Sequence, residues 1–195
     1  MLAELLPIAP TSNRIRIVLG VTGHRTLRNE SRIIKKVHEV LARIKQEIFE
    51  KHKITAVFTI LSLMAEGADR VVAREILKEK DSILEVVLPL PKEDYMNDFV
   101  TSESKTEFEE FIVQAAAIKE LLPARSRNEA YEQAGQYVVD HCDVLLALWN
   151  GKPAAGQGGT AEIVAYARKK KRPLFWIHTE KVQLTFEPGK EESPS

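Results

Sequence analysis

Five short apolar runs recur along the chain, at residues 15–21, 54–61, 83–88, 144–149 and 174–177. They are rich in Val, Ile, Leu and Phe and mostly lack polar alternation, which is how strands buried on both faces of a parallel sheet read. The segments between them change period. From Ser31, the residues Ile33, Ile34, Val37, Leu41, Ile44 and Ile48 fall on one helical face, with Arg32, Lys35, Lys36, Arg43 and Lys45 largely outside it. Shorter helices are predicted over residues 68–80 and 160–171. The longer interval between the third and fourth runs holds two more, over 105–120 and 127–142, with Leu121-Leu122 as a short additional strand between them. Strand and helix alternating at this spacing predict an α/β fold, a Rossmann-like doubly wound, mainly parallel sheet of five to six strands with helices on both faces.

The ends lie outside this pattern. Residues 1–13 and 181–195 read as flexible segments flanking one domain over 14–180. The closing Pro/Ser-rich stretch reads equally as the start of a linker, so a piece of a longer protein with an effector domain fits the same sequence.

Composition narrows the function classes. With 195 residues the chain holds one domain with additions. Lys+Arg and Asp+Glu both number 28, a formal net charge of zero. A nucleic-acid-binding face would normally lift the pI above about 9, so a polymer partner is not expected. The basic run Arg168-Lys169-Lys170-Lys171-Arg172 reads as a solvated helix end complementing the dipole. No run reaches the roughly 18 apolar residues of a membrane helix, and the opening residues lack a basic region before their apolar stretch. A single cysteine, Cys142, cannot close an internal disulfide or alone build a zinc site. A cytoplasmic protein without a membrane partner, metal or cofactor is the expectation. Asp140-His141-Cys142-Asp143 looks metal-binding, but consecutive residues at a helix end point in different directions.

In open α/β sheets the ligand lies at the carboxyl edge of the strands. After the first run comes Gly20-Val21-Thr22-Gly23-His24-Arg25. Its glycines permit a tight turn, Thr22 offers a hydroxyl, and Arg25 can fork onto a phosphate; the plainer alternative is a turn glycine and a surface arginine, with His24 structural. After the second comes Glu66-Gly67-Ala68-Asp69-Arg70, where Gly67 opens a helix N-terminus to an anion and Glu66 or Asp69 accepts from a ribose diol. A first-turn helix acid paired with Arg70 or Arg74 is the competing role for Asp69. After the fourth run comes Asn150-Gly151-Lys152-Pro153-Ala154-Ala155-Gly156-Gln157-Gly158-Gly159-Thr160-Ala161-Glu162, a flexible loop feeding a helix N-terminus, suited to cradling phosphate through backbone amides. It lacks the Gly-Lys-Ser/Thr of a Walker A motif and does not follow the first strand, as a dinucleotide fingerprint would. Arg127, near another helix start, is a further cation for the phosphate, and Tyr131 either stacks on a base or packs.

Four segments in this order, 21–25, 65–70, 143–149 and 156–162, resemble the SLOG superfamily of DNA-processing protein A (Smf) and the Lonely Guy enzymes. The resemblance implies a Rossmann-like domain over about 14–178 that binds nucleotides or nucleotide-derived ligands. Some members hydrolyse the N-glycosidic bond of a nucleoside 5′-monophosphate, some sense nucleotide signals, and related folds often form homodimers. The chain departs from the enzyme motif Pro-Gly-Gly-x-Gly-Thr-x-x-Glu, because Glu162 stands two positions after Thr160 rather than three. On a helix that shift rotates the carboxylate by about 100°. The expected ligand-binding set is therefore Gly23, His24, Arg25, Gly67, Asp69, Arg70, Arg127, Asn150, Gly156, Gly158, Gly159 and Thr160. Glu162 and Glu66 are the catalytic candidates if the domain is a phosphoribohydrolase-like enzyme rather than a sensor.

Overall fold

A computed structural model describes residues 13–153 and 158–189. The chain runs β1 (Arg14–Gly23), α1 (Glu30–His52), β2 (Thr55–Ser62), α2 (Ala68–Ile76), β3 (Ile83–Leu88), α3 (Lys92–Met96), α4 (Ser102–Gln114), β4 (Ala117–Glu120), α5 (Arg127–His141), β5 (Val144–Trp149), α6 (Thr160–Lys169), β6 (Leu174–His178) and β7 (Gln183–Glu187). The seven strands form one sheet in the order β4-β3-β2-β1-β5-β6-β7. All neighbours pair in parallel except β6 and β7. This is the Rossmann-like doubly wound α/β arrangement, with two more strands than there are apolar runs.

The strand alternation sorts the core into two layers. Ile17, Leu19 and Val21 of β1, Phe58 and Ile60 of β2, and Leu146 and Leu148 of β5 pack with the buried faces of α1 and α2 and with Tyr95, Phe99, Phe108 and Phe111. Leu145, Ala147 and Trp149 of β5 turn the other way, toward Ala134 and Val138 of α5 and Ile163 and Val164 of α6. A period of two delivers alternate apolar residues to opposite layers, so an interior strand must be apolar throughout.

The edges depart from expectation. The helix predicted over 105–120 ends at Gln114, and the extra strand is Ala117–Glu120 rather than Leu121-Leu122. All four β4 residues are exposed, so this edge strand has no apolar run to announce it. β7 lies within the segment expected to be a tail. Its antiparallel return places Phe186 on Phe175, with ring centroids 4.6 Å apart. The expectations for residues 1–12 and 190–195 fall outside the described residues. No described helix is long and apolar enough to cross a membrane.

From β1 the chain steps outward through β2, β3 and β4, then α5 carries it back across to β5 on the other side of β1. The loops after β1 and β5 therefore diverge to opposite faces and leave a crevice between them, the topological switch point where ligands of open α/β sheets bind.

Candidate functional site

A cleft of about 550 Å³ occupies that crevice. Its walls are Thr22, Gly23, His24 and Arg25 after β1, Ala65 and Asp69 after β2, Tyr131 of α5, Trp149, Asn150 and Lys152 after β5, and Gly158, Gly159, Thr160 and Ala161 at the start of α6. Four sequence segments far apart in the chain thus meet at one place.

The two glycine-marked turns serve the backbone first. Gly67 has φ +75°, and a Cβ there would stand 2.2 Å from the Arg25 carbonyl oxygen. A Cβ on Gly23 would stand 2.4 Å from the Cβ of Ala68. The β1 loop and the α2 N-terminus lie directly against each other, and the Ala68 N–H donates to the His24 carbonyl at 3.0 Å. Gly67 is therefore required for this chain-to-chain approach, and it lines a neighbouring groove with Arg70 and Arg74 rather than the main cleft. Gly158 has φ +79° and would drive a Cβ to 2.9 Å from the Asn128 carbonyl oxygen, so the α6 loop is seated on the first turn of α5. No side chain caps α6 at Gly159. Gly156 lies outside the described residues.

His24 ties the two halves together. The Asn150 N–H donates to its Nε2 at 3.2 Å, which fixes that nitrogen as the acceptor and the proton on Nδ1. Asn150 itself bonds through its side chain to Lys152 N–H and Glu180.

Arg25 is exposed at the rim. Its guanidinium sits 5.3 Å from the Tyr131 ring centroid and donates to the Tyr131 hydroxyl at 2.9 Å. That hydroxyl donates onward to Asp98. Burial and the Asp98 carboxylate push the Tyr131 phenol well above its ordinary value, so it stays a neutral donor. Arg127 is at the far end of this chain, held by Asp98 at 2.9 Å and Asp94 at 3.1 Å. It locks α5 to the α3 segment and does not line the cleft.

Asp69 is the most perturbed acid of the site. It is 5% exposed on the first turn of α2 and lines the cleft. Desolvation raises its pKa to about 6, against the Ser62 hydroxyl bond at 2.8 Å, the Ala65 N–H at 3.3 Å and the charges of Arg25 and Arg70. Arg70, its sequence neighbour, does not reach the cleft. Buried at 2% exposure, it stacks 4.5 Å from the Phe99 centroid and donates to the Met64 carbonyl, Ser104 and Glu107.

The two carboxylates read first as catalytic are also turned away. Glu162 is exposed and accepts from the Gly158 N–H at 2.5 Å, which makes it a capping group at the third position of α6. Glu66 accepts from the Ser104 hydroxyl. Neither lines the main cleft. The run Asp140-His141-Cys142-Asp143 separates as its helix-end position predicts: Asp140 binds Tyr166 and Lys170, His141 stacks on Tyr137, Cys142 is buried, and Asp143 accepts from the Val18 N–H. Among the described residues no three His, Cys, Asp or Glu side chains group as a metal site.

Trp149, the last residue of the apolar run 144–149, is not among the ligand contacts expected from the sequence, yet it lines the cleft. Its position is fixed by its own indole N–H, which donates to the Lys152 carbonyl, and by Trp176, whose ring lies 5.4 Å away.

No protein-family model matches the chain, and no curated protein matches it. A solved structure of the ABC domain in complex with L-Trp from Streptococcus pneumonia is 10% identical over 83% of this chain and 74% of that one. Its TM-score is 0.19, too low for a shared architecture to be argued.

Proposed function

We propose that this chain is a SLOG-like module that binds a nucleotide or nucleotide-derived ligand in the switch-point cleft. The observation that carries the reading is the convergence there of the α6 N-terminus at Gly159 and Thr160, a rim arginine and two aromatic rings. Helix amides and the dipole favour a phosphate at Gly159 and Thr160, each such contact giving roughly 0.3–1 kcal/mol when exposed. Arg25 adds a fork-shaped partner for the same group. Tyr131 and Trp149 line the same cleft and give it aromatic surface for a base. Four segments that follow one another along the sequence, 21–25, 65–70, 143–149 and 156–162, supply the family resemblance on which the ligand class rests.

A second reading, an N-glycosidic hydrolase of nucleoside monophosphates, is favoured by one observation: a buried carboxylate, Asp69, with its pKa near neutrality in the cleft. Water would add to the anomeric carbon as the C–N bond breaks, the electron pair leaving with the base and the water proton passing to Asp69.

Thermal shift and free-base release, followed together on a panel of nucleoside monophosphates and dinucleotides, test both readings. Stabilisation without turnover is expected. Base release that is lost in Asp69→Asn would select the enzyme, and no response to any nucleotide would overturn both.

A further inference from the structure

Asp69 is held as though one of its oxygens were reserved. Both of its hydrogen bonds, from Ser62 and Ala65, converge on Oδ2, and Oδ1 takes none among the described residues. Its surroundings fix that orientation. The Ser62 hydroxyl, while donating to Asp69, accepts from the Met64 N–H at 3.0 Å. Met64 stands in the left-handed region at φ 58°, unusual for a side chain of this kind, and its carbonyl is gripped by Arg70 at 3.1 Å. Among the described residues the fully buried side-chain atoms without a partner belong to Arg70, Ser82, Tyr95 and Arg172 and not to Asp69, so Oδ1 is open to the cleft and free to accept from a ligand there.

Resting on the nucleotide reading above, we propose that Oδ1 of Asp69 accepts the ribose hydroxyls of the ligand, making the cleft selective for ribonucleotides over their 2′-deoxy counterparts. β2 and β5 flank β1 on either side, so their exits lie about 10 Å apart at two strand spacings. A phosphate at the α6 turn after β5 and sugar hydroxyls near Asp69 after β2 would bridge that distance, with Arg25 between them. An ionised carboxylate only accepts, so it selects for donors. A site built around a substrate hydroxyl rejects the analogue lacking it, because the buried acceptor is then left unpaired.

The test is calorimetric titration of the protein with each of the four ribonucleoside 5′-monophosphates and its 2′-deoxy counterpart at about pH 7.5. The tightest ribonucleotide should bind at least about tenfold more tightly than its deoxy form. In Asp69→Asn the ratio should fall to within about twofold, mainly by loss on the ribose side. Equal affinities in the wild type, or a preference that survives in Asp69→Asn, would overturn the proposal while leaving the nucleotide reading standing. Silence toward all eight compounds would overturn the nucleotide reading and this proposal with it. A wild-type arm that needs no variant repeats the pair at about pH 5. Arg25 from the β1 loop, Arg70 on α2 and Tyr95 from α3 face Asp69; Arg25 and Tyr95 are both held above their already high ordinary values and so do not change charge in this range. The phosphate titration is common to both ligands, so the ratio should shrink as Asp69 protonates; a ratio unchanged at about pH 5 would overturn the assignment.

Discussion

Asp69 carries an ionisation that the fold opposes. Its pKa of about 6 in the folded chain lies above the ordinary aspartate value of 3.8, so between those values the folded state holds a proton that the unfolded state has released. Stability therefore falls as pH rises through that window, by roughly 3 kcal/mol once Asp69 is fully ionised. Asp69→Asn removes the charge and should be more stable than wild type at about pH 8, with the gap closing near pH 4; urea denaturation at both pH values measures it. A variant equally destabilised at both would show that the carboxylate is fully satisfied in place. Gly67 makes the opposite point, that a glycine can be dictated by backbone alone. Gly67→Ala should cost about 2–5 kcal/mol, combining a positive φ with a 2.2 Å approach to the Arg25 carbonyl, and should appear as a lowered Tm. Cys142 is inert by construction: burial at 2% exposure pushes its thiol up to about 12. Thiol reagents should label it only on unfolding, and rapid labelling of the native protein would mean that the packing of α5 on β1 is looser than described.

At the scale of elements, the interior strands were legible because a strand covered on both faces has no polar positions to interrupt its apolar run. β4 and β7 were not, since an edge strand needs apolar residues on at most one face and β4 has none buried. The helix predicted through 105–120 failed for a related reason: the sequence at 115–120 is compatible with either state, and pairing to β3 decides it. The candidate site divided in the same way. Turns marked by glycine could be placed from sequence, but whether each glycine meets a ligand or another stretch of backbone depends on packing. Arg127 read as free because its partners Asp94 and Asp98 belong to a short helix, and the turn following it, that no periodicity announced. The burial of Asp69 was hidden because a first-turn carboxylate usually faces water. Glu162 is an N-terminal capping residue, and the seating of the α6 loop rests partly on it. Glu162→Ala should cost about 0.5–1 kcal/mol while Glu162→Gln, which can still accept, costs less; thermal denaturation of the pair checks the order.

For the whole molecule, the doubly wound topology does the functional work of bringing segments near residues 24, 69, 131, 150 and 159 to one crevice. The exact charge balance of 28 against 28 fits this placement, since charges of both signs gather near a small cleft and no basic face is required. The measurement that tests the account most directly is amide chemical-shift mapping of the protein titrated with ribonucleoside 5′-monophosphates. Shifts should concentrate at residues 22–25, 63, 65, 69, 131, 149, 150, 152 and 158–161, which wall the switch-point cleft. Saturating perturbations confined to another surface, such as the exposed β4 edge, or no perturbation by any of the nucleotides, would contradict it.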